Sequence, residues 1–453
     1  MNNKTTRNIP PGVTIGTLLL YGMPMLGLGC MLILVNTYLM KFATDVLMIT
    51  PVVMGVVFGL SRMVEAISSP LFGYMGDKTI SRLGRRRSWM LASVIPLSIF
   101  SIAVWCPPRS LYGVSLTAWM TICIFGIFIG ITMFVVPELS LGAELSTNYR
   151  ERNRLYGSYN IFMNLGQFLG LGGMFLMITS QDQRVTAINV MATITAATVI
   201  LIVIMVLYIR ERPDYQGRAA TRPLQAFTDV WKNRHARLVI LVCFIDSLGV
   251  AVMSILTVYF AEYILFTPEK TPYYIAVFMF MATVSTPMWV KLADYFEKKT
   301  IRIVSFLIMG FGFGSTYLIG QHNSDAMYIL AAILGTGAGC AMTIGFSILA
   351  DIVDYDEYIT GQRKEGSYFS IYFFIFKTGL GITLFLTGFI LELAGFQPNT
   401  LQSDITRMAM RSMYAFFPLF FYMLAITIFL KYNLSRAEHK RIRQIIDSRI
   451  EVA

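Results

Sequence analysis

Runs of apolar residues long enough to cross a lipid bilayer recur along this chain, and they leave few folds open to it. A helix that spans the hydrocarbon core takes about 20 apolar residues. Such runs fall at 14–41, 50–75, 88–106, 113–145, 156–179 and 185–209. They resume at 236–265, 272–291, 302–320, 325–350, 367–394 and 407–431. A polar stretch from Arg210 to Arg237 separates two sets of six. Lipid offers no water to backbone N–H and C=O groups, so each run must satisfy them internally as a helix. The expected fold class is all-α: an integral membrane protein of twelve transmembrane helices in two six-helix bundles. The expected divisions are a first bundle over 1–210, a linker over 211–235, a second bundle over 236–431 and a tail over 432–453.

Composition agrees with lipid as the solvent. Of 453 residues 55% are hydrophobic and 14% are charged, against roughly a quarter charged in soluble domains. The net charge of +11 does not point to nucleic acid, because the basic residues sit in short stretches between apolar runs with no aromatic–basic stripe. They report orientation instead. Most of the 37 Lys and Arg fall in the first residues, the even-numbered connections and the tail, leaving Lys41, Arg109, Arg184, Lys270, Arg407 and Arg411 on the other side. Positive charge stays cytoplasmic, so both ends of the chain are expected there, in a multi-pass cell membrane protein. The first run is too long for a signal-peptide core and lacks a small-residue cleavage site, so it is expected to remain. Cys30, Cys106, Cys123, Cys243 and Cys340 stand singly and read as packing residues.

The two halves echo each other. Gly76-Asp-Lys-Thr-Ile-Ser-Arg-Leu-Gly-Arg-Arg-Arg87 follows the second run, and Ala293-Asp-Tyr-Phe-Glu-Lys-Lys-Thr-Ile-Arg302 follows the eighth. Mixed charge also follows the fourth run (Glu144, Arg150, Glu151, Arg152) and the tenth (Asp351, Asp354, Glu357, Arg363). Repeated halves with a site between them are how many transporters alternate access. Asp77, Arg85 and Asp294 in the doubled loops, with the two later clusters, are candidates for a cytoplasmic gate of ion pairs.

Ionisable side chains deep in lipid are costly and mark function. Arg62 and Glu65 on the second run, Glu138 on the fourth, Asp246 on the seventh and Lys377 on the eleventh qualify. At 1.5 Å per residue, Glu65, Asp246 and Lys377 lie roughly 15 Å from the cytoplasmic end of their helices, and Glu138 about 10 Å. Arg62 and Glu65 share a helix face. Lys377 has no acid on its own helix and must pair with Glu65, Glu138 or Asp246. Asn160, Asn164 and Gln167 form a polar stripe suited to a cavity. Gly166 with Gly170, and Gly335 with Gly339, read as close-packing faces.

Several stretches resemble the glycoside–pentoside–hexuronide:cation symporters, the melibiose-permease type of the major facilitator superfamily. They are Asp351-Ile-Val-Asp-Tyr-Asp-Glu-Tyr-Ile-Thr-Gly-Gln-Arg363, Lys377, Gly395-Phe-Gln-Pro-Asn399, Tyr38-Leu-Met-Lys-Phe-Ala-Thr-Asp45 and Arg62-Met-Val-Glu-Ala-Ile-Ser-Ser-Pro70. Pro137 and the Arg150-Glu-Arg152 triplet add to them. The resemblance implies the major facilitator fold and cation-coupled transport. Glu65 falls at a second-helix carboxylate position and Lys377 at the lysine beside it. Asp77, Arg150, Arg152, Asp351, Asp354, Glu357 and Arg363 fall at gate positions. The second carboxylate of that helix is Ser69 here. Leu28 and Gly29, Val135 and Asn160 stand where the family's sugar-holding charges are expected.

The expected function is cation-coupled symport of a glycoside, uronide or related polar solute, with Glu65, Glu138 and Lys377 carrying coupling by H⁺ or Na⁺. Asn160, Asn164, Asp246 and Arg62 would line the substrate cavity. An amphipathic or lipid-like solute, or export of a metabolite, is the alternative. The partners expected are a small solute, the cation and lipid, in a monomer without nucleic acid or other cofactor. A membrane-embedded enzyme is the remote reading. The histidines, His235, His322 and His439, fall in loops or the tail, and no metal-ligand or Ser–His spacing occurs inside the runs.

Overall fold

The computed structural model of the chain describes residues 13–79, 81–145, 149–211, 230–361 and 365–452. Eleven of its helices are long and apolar enough to cross a membrane. They are α1 (Ile15–Val46), α2 (Pro51–Lys78), α4 (Gly113–Leu145), α5 (Tyr149–Thr179), α6 (Gln183–Tyr208), α7 (Arg234–Tyr263), α8 (Pro268–Tyr295), α9 (Lys298–Ser315), α10 (Ala326–Thr360), α11 (Glu365–Leu393) and α12 (Asp404–Phe429). The remaining expected span, α3, is present as Arg85–Ala92 continued by Val94–Ala103. Among the described residues there is no strand. A basic helix, α13 (Arg436–Val452), follows the last span.

Proline explains the interruptions. Pro24 cannot donate to the carbonyl four residues back, and α1 breaks at Met23. Pro96 and Pro287 have the same effect at Ser93 in α3 and Ser285 in α8. Two stretches of α1, Leu34–Tyr38 and Phe42–Val46, wind as π-helix, as does Ala341–Gly345 in α10. Such wide turns free backbone groups and cluster at functional sites.

The internal repeat foreseen in the loops governs the packing. In the first lobe α1 packs on α5 and α6, α2 on α4, and α3 on α4 and α6. Advancing each number by six gives the second lobe: α7 on α11 and α12, α8 on α10, and α9 on α10 and α12. The expected glycine faces make these contacts. A Cβ on Gly166 would strike the Leu26 carbonyl, and one on Gly335 the Phe278 carbonyl. This is close helix packing through small residues.

Two features differ from expectation. α9 begins at Lys298, so Arg302 lies inside a helix and is 2% exposed, where the sequence reading put it in a loop. His235 is buried at the start of α7, edge-on to Tyr355 and Tyr432, and not in a loop. Asn233 caps that helix and draws His235 into it by accepting from its backbone N–H.

The α2–α3 and α8–α9 connections and α13 share one side of the molecule, called here the basic face. The α1–α2, α7–α8 and α11–α12 connections lie on the opposite face.

Candidate functional site

The lobes meet along α2 and α11, and glycine determines how closely. A Cβ on Gly55 would sit 3.0 Å from the Leu384 carbonyl oxygen, and one on Gly388 would strike the Pro51 carbonyl. Gly381 lies against the Arg62 side chain. With backbones this near, side chains at mid-depth reach across. Lys377 Nζ lies 2.8 Å from Glu65 Oε1, and Arg62 Nη1 lies 2.8 Å from Glu65 Oε2. The other Arg62 Nη donates to Asn36 Oδ1 in the π-wound part of α1. The guanidinium carbon stands 4.1 Å over the Phe128 ring of α4. Four helices thus supply one network, with two cations to one carboxylate. Glu65 is 6% and Arg62 5% exposed, while the Lys377 side chain remains 31% exposed.

Toward the opposite face a second network joins the lobes. Lys41 of α1 contacts Asp45 at 3.1 Å and Glu262 of α7 at 2.5 Å. Tyr263 donates to Asp45 at 2.7 Å, Asn399 donates to the Asp45 carbonyl at 2.7 Å, and Thr44 and Tyr259 share a bond of 3.0 Å. Phe175 of α5 meets Tyr273 of α8 edge to face. These contacts bridge the lobes on this face. The sequence reading took Lys41 as a loop cation and gave Asp45 and Glu262 no role. The only signals were the family-like stretches ending in Asp45 and Asn399.

The remaining expected site residues fall in four places. Asn160 and Asn164 are exposed on α5. Asn164 lies three turns before Phe175 and so shares the stripe that faces the other lobe. Asp246 does not join the seam: it pairs with Arg302 of α9 inside the second lobe, both buried. Glu138 also stands apart, 0% exposed, and both its carboxyl oxygens lack a partner among the described residues.

At the basic face, Asp351 pairs with Lys298 at 2.6 Å within its own lobe. Asp354 takes His439 at 3.0 Å and Arg443 at 3.2 Å from α13. The Asp294 carbonyl accepts from Arg436 at 2.8 Å. Glu357 lies in the last turn of α10. The backbone N–H groups of Arg85, Arg86 and Arg87 open α3 and converge on the Glu211 carboxylate at 2.7–2.8 Å, an acid at a helix N-terminus. The side chains of Asp77, Arg150 and Arg152, and all of Arg363, lie outside the described residues. Among those described, no three His, Cys, Asp or Glu gather as a metal site would require.

Comparison with known proteins agrees with this architecture. Residues 20–436 match the MFS/sugar transport protein family. The isoprimeverose transporter of Lactiplantibacillus pentosus is 27% identical, over 91% of this chain and 87% of that protein. The sodium-dependent lysophosphatidylcholine symporter 1-A of Danio rerio is 24% identical, over 88% of this chain and 81% of that one. The crystal structure of a D-xylose-proton symporter superposes with a TM-score of 0.65 at 14% identity, over 89% of this chain and 96% of that chain, and shares the fold. A multi-pass membrane transporter and not an enzyme, this chain belongs to the MFS/sugar transport protein family, the symporter family that its motifs resemble.

Proposed function

We propose that the protein couples the movement of H⁺ or Na⁺ to that of a sugar-like polar solute, and that Glu65 and Lys377 carry the coupling. The observation that supports this reading is the ion pair between them, which crosses the seam between lobes at mid-depth. A cation taken up by Glu65 competes with Lys377 for the same oxygen. Neutralising Glu65 releases the Lys377 ammonium at the seam and loosens the α2–α11 contact on which alternation depends. The two cations on one carboxylate favour a solute that brings a carboxylate of its own, as a uronide does. Arg62, held by Asn36, then stays as the fixed positive charge.

In this reading the basic face is cytoplasmic by the positive-inside rule. The protein works as a monomer in a cell membrane, and the conformation is closed to the outside by the Lys41–Asp45–Glu262 network. Asp351 and Asp354 serve the inner gate, with Lys298 and α13 holding them in this state.

The test is uptake into proteoliposomes of isoprimeverose, a glucuronide and a lysophosphatidylcholine, each under an imposed pH or sodium gradient. Accumulation of one of them that follows the gradient and is lost in Glu65→Gln supports the proposal. Accumulation indifferent to both gradients removes it. A lipid-like cargo is the second reading. A mostly apolar crevice of about 440 Å³ between α1, α5 and α6, lined by Leu26, Leu169, Leu176 and Leu201, favours it, and so does the nearly equal identity to a lysolipid symporter.

A further inference from the structure

Glu138 does not take part in the seam network, and its surroundings differ from those of Glu65, Asp246 and Asp45. Glu65 has Arg62 and Lys377, Asp246 has Arg302, and Asp45 has Lys41 and Tyr263. Glu138 is fully buried with neither oxygen bonded. Among the described residues, the charged groups on the helices around α4 are engaged elsewhere or lie further along their helices. Arg62 and Glu65 of α2 hold each other, and the backbone at Arg85, Arg86 and Arg87 of α3 gathers around Glu211. Glu151 and Arg154 lie one to two turns nearer the basic face than Tyr159 on α5. What faces the carboxyl is phenolic: Tyr21 of α1 and Tyr159 of α5.

A bare carboxylate with no partner costs far too much in such a place, and the group takes a proton instead. A divalent metal ion is a poor fit, since such hard cations need about six or more oxygens and, among the described residues, no second carboxylate gathers with Glu138 in a metal-holding group. The neutral acid is the species this pocket accommodates.

The pocket also lies where the backbone is free to bend. Pro137 immediately precedes Glu138, and the Met23–Pro24 break in α1 begins two residues after Tyr21. The Tyr21 hydroxyl donates at 3.2 Å to the Glu138 backbone carbonyl, and the Tyr156 hydroxyl at 2.9 Å to that of Leu139. Gly142 leaves room for the Tyr21 ring, which a Cβ there would strike. Two phenol donors, Tyr21 and Tyr156, are therefore spent on the α4 carbonyls of Glu138 and its neighbour Leu139. A small bend at either proline turns a donor onto the carboxylate and makes the anion tolerable.

We propose that Glu138 is a proton-binding site of the first lobe, separate from the Glu65–Lys377 pair, loaded as the neutral acid while the opposite face is closed and unloaded when that face opens. Only the O–H bond forms and breaks, and the proton leaves to water. The site stands whether or not Glu65 carries coupling.

Infrared spectroscopy of the purified full chain in lipid, at pH 8 and without solute, tests it. The carbonyl stretch of a protonated carboxyl is expected in the wild type, lost in Glu138→Gln and retained in Glu65→Gln. Where Glu138→Gln fails to fold, Glu138→Asp decides: a displaced band supports the site and an unmoved one overturns it. In Lys41→Met, once spin-label distances have shown the opposite face open, the band should fall by at least half. Absence of any band sensitive to Glu138, or a full band in that opened form, overturns the proposal.

Discussion

Glu65 is held at 2.8 Å by Lys377 from the other lobe and at 2.8 Å by Arg62 from its own helix. One carboxylate thereby ties together the elements that alternating access must separate. The pair sits on the glycine-lined contact of α2 with α11, where the Lys377 side chain remains partly exposed.

Replacing Lys377 by Ala should lower stability by about 1–3 kcal/mol, less than the ~3–5 of a fully buried pair because the lysine is partly exposed. Glu65→Gln in the same chain should recover part of that loss. Melting temperatures of the two single variants and the double variant measure the coupling. Strict additivity would remove the pair from the mechanism.

Lys41→Met leaves Asp45 and Glu262 close together without the cation between them. The opposite face should open, seen as a longer distance between spin labels at Met48→Cys and Thr267→Cys. Adding Glu262→Gln removes the repulsion and should restore part of the closed population. No change in the distance distribution on Lys41→Met would mean that the aromatic contacts close this face without the charges.

Asp246 and Arg302 belong to one lobe, so their loss should act on folding and not on coupling. Asp246→Asn leaves a buried guanidinium unpaired and should cost about 3–5 kcal/mol. In the fraction that folds, the ratio of accumulation to exchange should equal that of the wild type. A folded variant with altered coupling would move Asp246 into the transport path.

Gly166→Ala places a methyl group against the Leu26 carbonyl. Overpacking of this kind costs about 1–3 kcal/mol, and a lowered melting temperature should report it. Gly172→Ala on the same helix meets nothing within 4 Å and should leave the melting temperature within a degree or two or raise it.

The sequence alone determined the membrane fold, the twofold repeat of six spans and the depth of Arg62, Glu65, Glu138 and Asp246, because each is legible from helix length, flanks and the position of a charge along a helix. The shared face of Arg62 and Glu65 was legible for the same reason, from spacing along one helix. The pairings were decided only in three dimensions. Lys377 had three acids within equal reach of the one-dimensional reading, and the rotation of α11 against α2, governed by Gly55, Gly381 and Gly388, selected Glu65. Arg302 looked like a loop residue until α9 began four residues earlier and carried it inside to Asp246. The Lys41–Asp45–Glu262 network joins residues more than two hundred positions apart. Glu138, whose depth the sequence announced, is set apart by the absence of a hydrogen-bond partner for its carboxyl among the described residues, which no pattern along a chain can show.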